Sequence, residues 1–161
     1  MEYIAHIDEN NKERIQTVKE HLEGTAKLSG DFAEKFGKQD WGYCCGMLHD
    51  IGKYSMDFQK RILGESNRRV DHSTAGARVC GEKKGKYSFL EYCVEGHHAG
   101  LPDYGSNFDG SDEPTLRGRR KKKISDYQAY RTEIEIPPIT SSPIDLDKTV
   151  NRWNFLQRHE T

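Results

Sequence analysis

The stretch Met47–Lys53, MLHDIGK, sets an imidazole, a carboxylate and an ammonium inside an otherwise apolar run. The segment that leads into it, from about Asp40 through Ile51, carries Trp41, Tyr43, Cys44, Cys45, Met47 and Leu48 and is apolar on most faces, which predicts a helix in the middle of a bundle. A bare carboxylate at the end of such a helix costs several kcal/mol unless it is paired or bound to a cation. Asp50 therefore needs a partner.

Working outward, Ile15, Val18, Leu22, Ala26, Phe32, Ala33 and Phe36 recur at helical spacing, which predicts an amphipathic helix from Asn10 to about Phe36, with Asn10 or Asn11 as N-cap and Gly37 as the stop. Downstream, helices are predicted over Ser55 to Leu63, over Ser73 to Glu82 with Asp71 or Ser73 as cap, and over Ser88 to Gly96. Strand-like alternation is scarce, so the expected class is all-α. After Gly100 the segment LPDYGSNFDGSDEPTLRGRRKKK reads as a long exposed loop. A helix from about Ile124 to Glu135 is predicted next, then the linker IPPITSSPIDLD, which cannot continue a helix, and one last helix in KTVNRWNFLQRHET.

The 161 residues are read as one domain: a motif-bearing helical core over 1–103, a charged loop over 104–123, and a linker with C-terminal helices over 124–161. Lys and Arg number 25 against 26 Asp and Glu, so overall charge does not mark a polyanion-binding protein, and any nucleic-acid surface has to be local. No basic segment precedes an apolar one at the N-terminus and no apolar stretch is long enough to span a bilayer, which predicts a soluble, cytoplasmic chain with no membrane partner. Cys44, Cys45, Cys80 and Cys93 lack zinc-site spacing and are expected to be reduced core thiols.

Five of the seven histidines fall where the predicted helices meet or end: His21, His49 beside Asp50, His72, and the pair His97 and His98. Taken singly, each reads as well as a cap or a hydrogen-bonded structural histidine. Taken together, several neutral imidazoles and one bridging carboxylate are the donor set that one or two first-row transition ions require: manganese, iron, nickel, cobalt or zinc in preference to magnesium. Lys53, one helical turn after His49, can reach the same cavity and offset charge on a phosphate. Gly52, Gly96 and Gly100 flank the pairs and fit helix ends.

In order along the chain, a His in an early helix, HDIGK, DHSTAGA and GHHAGLPD resemble the HD superfamily of metal-dependent phosphohydrolases. More closely, over about Ile4 to Asp103, they resemble the HD nuclease domain of the CRISPR-associated type I interference nuclease, the Cas-three HD domain. The Gly-Tyr-Pro element of the diguanylate-type branch is missing from GHHAGLPDYG. The resemblance implies an HD helical bundle in which His21, His49 and Asp50 hold one ion, while Asp50 bridges to a second held by His72, His97 and His98. It implies Lys53 facing the substrate phosphate, a metal-activated water as nucleophile, single-stranded DNA as substrate, and a helicase and an RNA-guided surveillance complex as partners.

The family's closing Asp, set in an apolar late helix, has no match here. Asp145 and Asp147 are the substitutes far enough downstream, and the late helix would fall at or past the C-terminus. Two other readings follow from these departures: a phosphohydrolase acting on a nucleotide, and a catalytically weakened module that binds DNA or the interference complex and regulates it. The basic run Arg117 to Lys123 either tracks a phosphate backbone or pairs within its own loop. Tyr104, Phe108 and Tyr127 either stack on unpaired bases or pack that loop on the bundle.

Overall fold

In the structure, a computed structural model that describes residues 2–143, the chain is mostly helical. A two-stranded antiparallel sheet, β1 (Ile4–Ile7) with β2 (Ile15–Thr17), pairs Ile4 with Thr17 and Ile7 with Ile15. Six helices follow: α1 (Val18–Glu34), α2 (Gln39–Leu48), α3 (Met56–Ile62), α4 (Ser73–Lys83), α5 (Tyr87–Gly96) and the short α6 (Leu116–Arg120). Single 3-10 turns cover Ile51–Tyr54 and Gln128–Thr132. The expected last helix, and Asp145 and Asp147, lie outside the described residues.

The first helix begins seven residues or so later than its apolar spacing predicts. Thr17 and Glu20 form a reciprocal capping box, in which the Thr17 hydroxyl accepts from the Glu20 N–H and the Glu20 carboxylate accepts from the Thr17 N–H at 2.9 Å. That box outcompetes the Asn residues upstream, and residues 4–17 form a hairpin instead. The core face of α1 is Val18, Leu22, Ala26, Gly30 and Ala33, whereas Phe32, Phe36 and Ile15 are exposed.

Two antiparallel helix hairpins make the bundle. In one, α1 turns through Gly37, at φ +73°, into α2. Gly46 lies against the backbone of Thr25 and Ala26 with no room for a Cβ, so the two helices approach closely. In the other, α4 turns through Lys84 and Gly85 into α5. Leu22 and Leu48 have no solvent exposure, and each contributes about 2 kcal/mol by leaving water. Cys44 and Cys80 join this core as free thiols, but Cys45 is only half-buried and Cys93 is exposed, contrary to the core placement expected for all four. Burial pushes the Cys45 thiol up to about 12, which leaves it inert.

Two other expectations are corrected. The segment from Ile124 is not a helix; only the 3-10 turn forms, because Tyr127, Tyr130 and Ile134 are drawn as separate anchors into the core. The loop after Gly100 is not simply exposed. Leu116 is buried, and three cations of the basic run are held by carboxylates: Arg120 binds both Glu91 oxygens at 2.5 Å, Arg119 binds Glu95 at 3.0 Å, and Lys122 binds Asp71 at 2.6 Å. Arg117 bonds the Tyr104 hydroxyl at 3.1 Å and the Asn107 side chain, and Lys121 bonds two loop carbonyls. Tyr127 is buried and close to parallel with Tyr130, while Phe108 is 96% exposed.

Candidate metal centre

An antiparallel helix hairpin brings the start of its first helix beside the end of its second. His21 lies in the opening turn of α1, and His49 and Asp50 follow directly on α2, so 28 residues of sequence separate side chains that touch. In the second hairpin His72 precedes α4 and His97 and His98 follow α5. The open ends of both hairpins face one another. Gly52 makes that possible: its α-carbon lies against the backbone of His72, where a Cβ would clash, and its N–H donates to the His72 carbonyl at 3.2 Å.

Four imidazoles meet the Asp50 carboxylate, which is 4% exposed, and the fifth, His98, joins through His72. Asp50 Oδ2 lies 2.9 Å from His21 Nε2 and 3.2 Å from His49 Nε2, and these two nitrogens are 3.1 Å apart. Its Oδ1 lies 3.2 Å from His97 Nε2 and 3.5 Å from His72 Nε2. His98 Nε2 completes the second set at 2.7 Å from His72 Nε2. The carboxylate thus divides its oxygens between two groups of donors, His21, His49 and Asp50 on one side and Asp50, His72, His97 and His98 on the other.

The donor chemistry fits a cation. Carbonyl oxygens only accept, so the Nδ1 atoms of His49, His97 and His72 donate, to Gly46 at 2.7 Å, Val94 at 2.7 Å and Val70 at 3.3 Å. Each neutral ring is then left with a bare lone pair on Nε2, aimed at another acceptor about 3 Å away. Such opposed acceptors repel unless positive charge lies between them. Metal-bound imidazoles carry this kind of backbone bond on their other nitrogen, and ligand bonds of ~2.0–2.1 Å set neighbouring octahedral donors about 3 Å apart.

Burial alone would push the Asp50 carboxyl up; where protons rather than an ion lie between these donors, hydrogen bonds from His21, His49 and His97 outweigh burial and hold the group well below the usual carboxylate range. Burial pushes the His72 and His98 imidazoles down, which favours the neutral, metal-ligating form. His97 is also penalised by burial, yet its bonds to Asp50 and to the Val94 carbonyl raise it overall.

Lys53, 5% exposed, extends from the 3-10 turn after Asp50 and places its ammonium 2.9 Å from Asp50 Oδ2. Its other polar neighbour is His6 Nε2, at 3.0 Å, a residue that sequence reasoning missed. His6 reaches the site from β1 and packs edge-on against His21, with ring centroids 4.8 Å apart. Burial, then the Lys53 ammonium, push its imidazole down. Nothing in the local pattern IAHI marks it, since only pairing of β1 with β2 carries it there.

A scan against family models matches the HD domain over residues 18–132. The chain belongs to the HD domain family. The matched span takes in all six donors and Lys53, and it leaves out His6. An HD domain points to metal-dependent phosphohydrolase activity in general, and this one carries a His and Asp group able to hold a divalent ion. A search of curated proteins found no match to the HD domain or to the rest of the chain.

Proposed function

We propose that this HD domain is a metal-dependent endonuclease that hydrolyses single-stranded DNA in type I CRISPR interference. In this reading His21, His49 and Asp50 hold one divalent ion, and Asp50, His72, His97 and His98 hold a second. Manganese, iron, nickel and cobalt suit these donors better than magnesium. The observation that carries the reading is the division of the Asp50 carboxylate between two imidazole groups, in a site reached from two sides. The substrate class and the partners, a helicase and an RNA-guided surveillance complex, rest on the resemblance of HDIGK, DHSTAGA and GHHAGLPD to the Cas-three HD domain.

The chemistry such ions supply is water activation and neutralisation of charge at phosphorus. The protein's part is to hold the donors rigid before substrate arrives. Backbone carbonyls fix three imidazole rings, and the Lys53 ammonium, paired with Asp50 Oδ2 at 2.9 Å, holds the carboxylate in place. Two clefts share His72 and His98 as a common wall, of about 350 Å³ on the β1 and α3 side and about 460 Å³ on the α6 side. Clefts that open on both sides of the centre suit a polymer better than a single nucleotide.

The test is cleavage of circular single-stranded DNA by manganese-loaded protein, with duplex DNA and nucleoside triphosphates as competing substrates. Linearisation of the circle without release of nucleoside from the triphosphates supports the reading, and the converse pattern replaces it with a nucleotide phosphohydrolase.

Among the described residues the first donor group has three members and the second has four, and that asymmetry favours one further reading, an HD module of weakened catalysis that binds DNA or the interference complex. Metal analysis separates them: two ions per chain support the nuclease, and a single ion with no cleavage supports the module.

A further inference from the structure

The two clefts that meet at His72 and His98 differ in charge. The one on the α6 side contains Asp71, Asp112 and Glu113 against Arg69, Arg119 and Lys122, and two of those cations are already bound to Glu95 and Asp71. The one on the β1 and α3 side has no carboxylate in its lining. Its polar wall is His6, Lys53 and Arg61, and its apolar wall is Ala5, Phe58 and Ile62.

Arg61 is the informative member. It lies in the last turn of α3, it is exposed, and among the described residues its side chain has no hydrogen-bond or ion-pair partner. Lys53, by contrast, is engaged by Asp50 and His6 and lies over one face of Phe58, 5.6 Å from the ring centroid. The cleft thus presents an unpaired guanidinium at its lip, an apolar floor, and an inner end formed by two imidazoles of the metal centre. At about 350 Å³ it falls at the small end of ligand pockets. A ligand matching these features is an anion joined to a flat, weakly polar body.

We propose that the cleft between β1 and α3 is the subsite for one nucleoside phosphate unit of the substrate strand, next to the phosphodiester that is cut. Arg61 binds its phosphate, as a planar fork suited to two phosphate oxygens, and the base and sugar lie against Ala5, Phe58 and Ile62. The α6 cleft, with its acidic side chains, receives the strand less favourably, so this subsite sets the direction in which the strand is held. The assignment rests on the hydrolase reading above and extends it.

The experiment is calorimetric titration of the full-length, manganese-loaded protein with thymidine monophosphate, inorganic phosphate and thymidine, for wild type and for Arg61→Ala, Arg61→Lys and Ile62→Ser. The expected result is that Arg61→Ala weakens thymidine monophosphate about tenfold, in line with loss of one charge-assisted pair, and that Arg61→Lys restores part of it. Ile62→Ser weakens thymidine monophosphate and leaves inorganic phosphate unchanged. Equal affinities for wild type and Arg61→Ala overturn the proposal. So does a wild type that binds phosphate and thymidine monophosphate alike with no effect of Ile62→Ser, which would reduce the cleft to a bare anion site.

Hydrolysis of bis(4-nitrophenyl) phosphate, a diester with no nucleoside, tests the hydrolase reading separately. Its failure with Arg61-dependent nucleotide binding intact would remove the hydrolase reading and keep the subsite, and the reverse result removes the subsite alone.

Discussion

At the scale of single residues, the site turns on one carboxylate in contact with four imidazoles. Asp50 is almost wholly buried and is shared by both donor groups. Asp50→Ala therefore removes a donor from each group at once. The expected outcome is loss of bound metal from the purified protein and a fall in cleavage of at least about a hundredfold, in the range that ligand-shell changes produce. Elemental analysis together with a single-strand cleavage assay checks it; a variant that keeps its metal and its rate excludes the shared role. Lys53 acts differently, because it donates to Asp50 and to His6 without being a metal donor. Lys53→Met is expected to keep the metal content and lower kcat roughly tenfold with little change in KM, as for a group that matters most when charge develops. Unchanged kcat with reduced thermal stability would make it a structural strut only.

At the scale of elements, the second hairpin carries two carboxylates, Glu91 at 0% and Glu95 at 1% exposure, that water cannot reach. Arg120 and Arg119 from α6 neutralise them, and Lys122 does the same for Asp71, which caps α4 through the Thr74 N–H at 3.1 Å. Glu95 also accepts from Thr74 at 3.0 Å and so joins α4 to α5 one turn from His97 and His98. The basic run is thus a fastening for the helix ends that hold half the donors. Arg120→Met leaves Glu91 buried without its partner and is expected to cost about 1–3 kcal/mol in denaturant unfolding, less than a fully buried pair because Arg120 itself is partly solvated. Adding Glu91→Leu to it should recover most of that loss, because the buried carboxylate that needs the cation is then gone. A double variant as unstable as the single one would show that the pair itself contributes the stability.

At the scale of the whole molecule, Arg119, Arg120 and Lys122 of the basic run are taken up by carboxylates, and other unpaired cations lie nearer the candidate metal centre. Arg61, Arg68 and Arg69 are exposed on α3 and the segment before α4, and among the described residues their side chains have no ion-pair partner. Changing Arg68 and Arg69 together to Ala is expected to flatten the plot of log affinity against log salt for single-stranded DNA by about 1.4, or ~0.7 for each phosphate that is no longer neutralised. A slope that stays put would place the strand elsewhere.

The far end of the described chain is tied back to the bundle by Asp40, whose carboxylate accepts from the backbone N–H groups of Thr140 and Ser141 at 2.8 and 2.7 Å and from both hydroxyls. Burial opposes its ionisation, but these bonds outweigh it and hold its carboxyl well below the usual carboxylate range. Because the folded-state value lies below the unfolded one, the stability it contributes is complete above the ordinary Asp pKa of about 3.9 and is lost as pH falls below it. Asp40→Asn should therefore cost about 1 kcal/mol at neutral pH and much less near pH 2. Unfolding curves at the two pH values test the sign; equal losses would locate its effect in packing.

Local sequence determined the parts of this protein whose physics is local. The helices α2 to α5 are legible from local residue pattern, with Asp71 as a legible cap for α4, and the six clustered donors are legible because polar residues recur where dry helices end. Some features depended on competition between neighbours, as when the Thr17 and Glu20 box moved the start of α1 and turned residues 4–17 into a hairpin. Only the tertiary structure could decide the rest. It brought His6 to Lys53 across 47 residues, turned Arg119 and Arg120 of the basic run inward onto Glu95 and Glu91, and left Arg61 without a partner among the described residues at the mouth of a cleft. Such pairings are set by which helix ends meet, and a one-dimensional pattern holds no record of a charge's neutralisation by a carboxylate some thirty residues away.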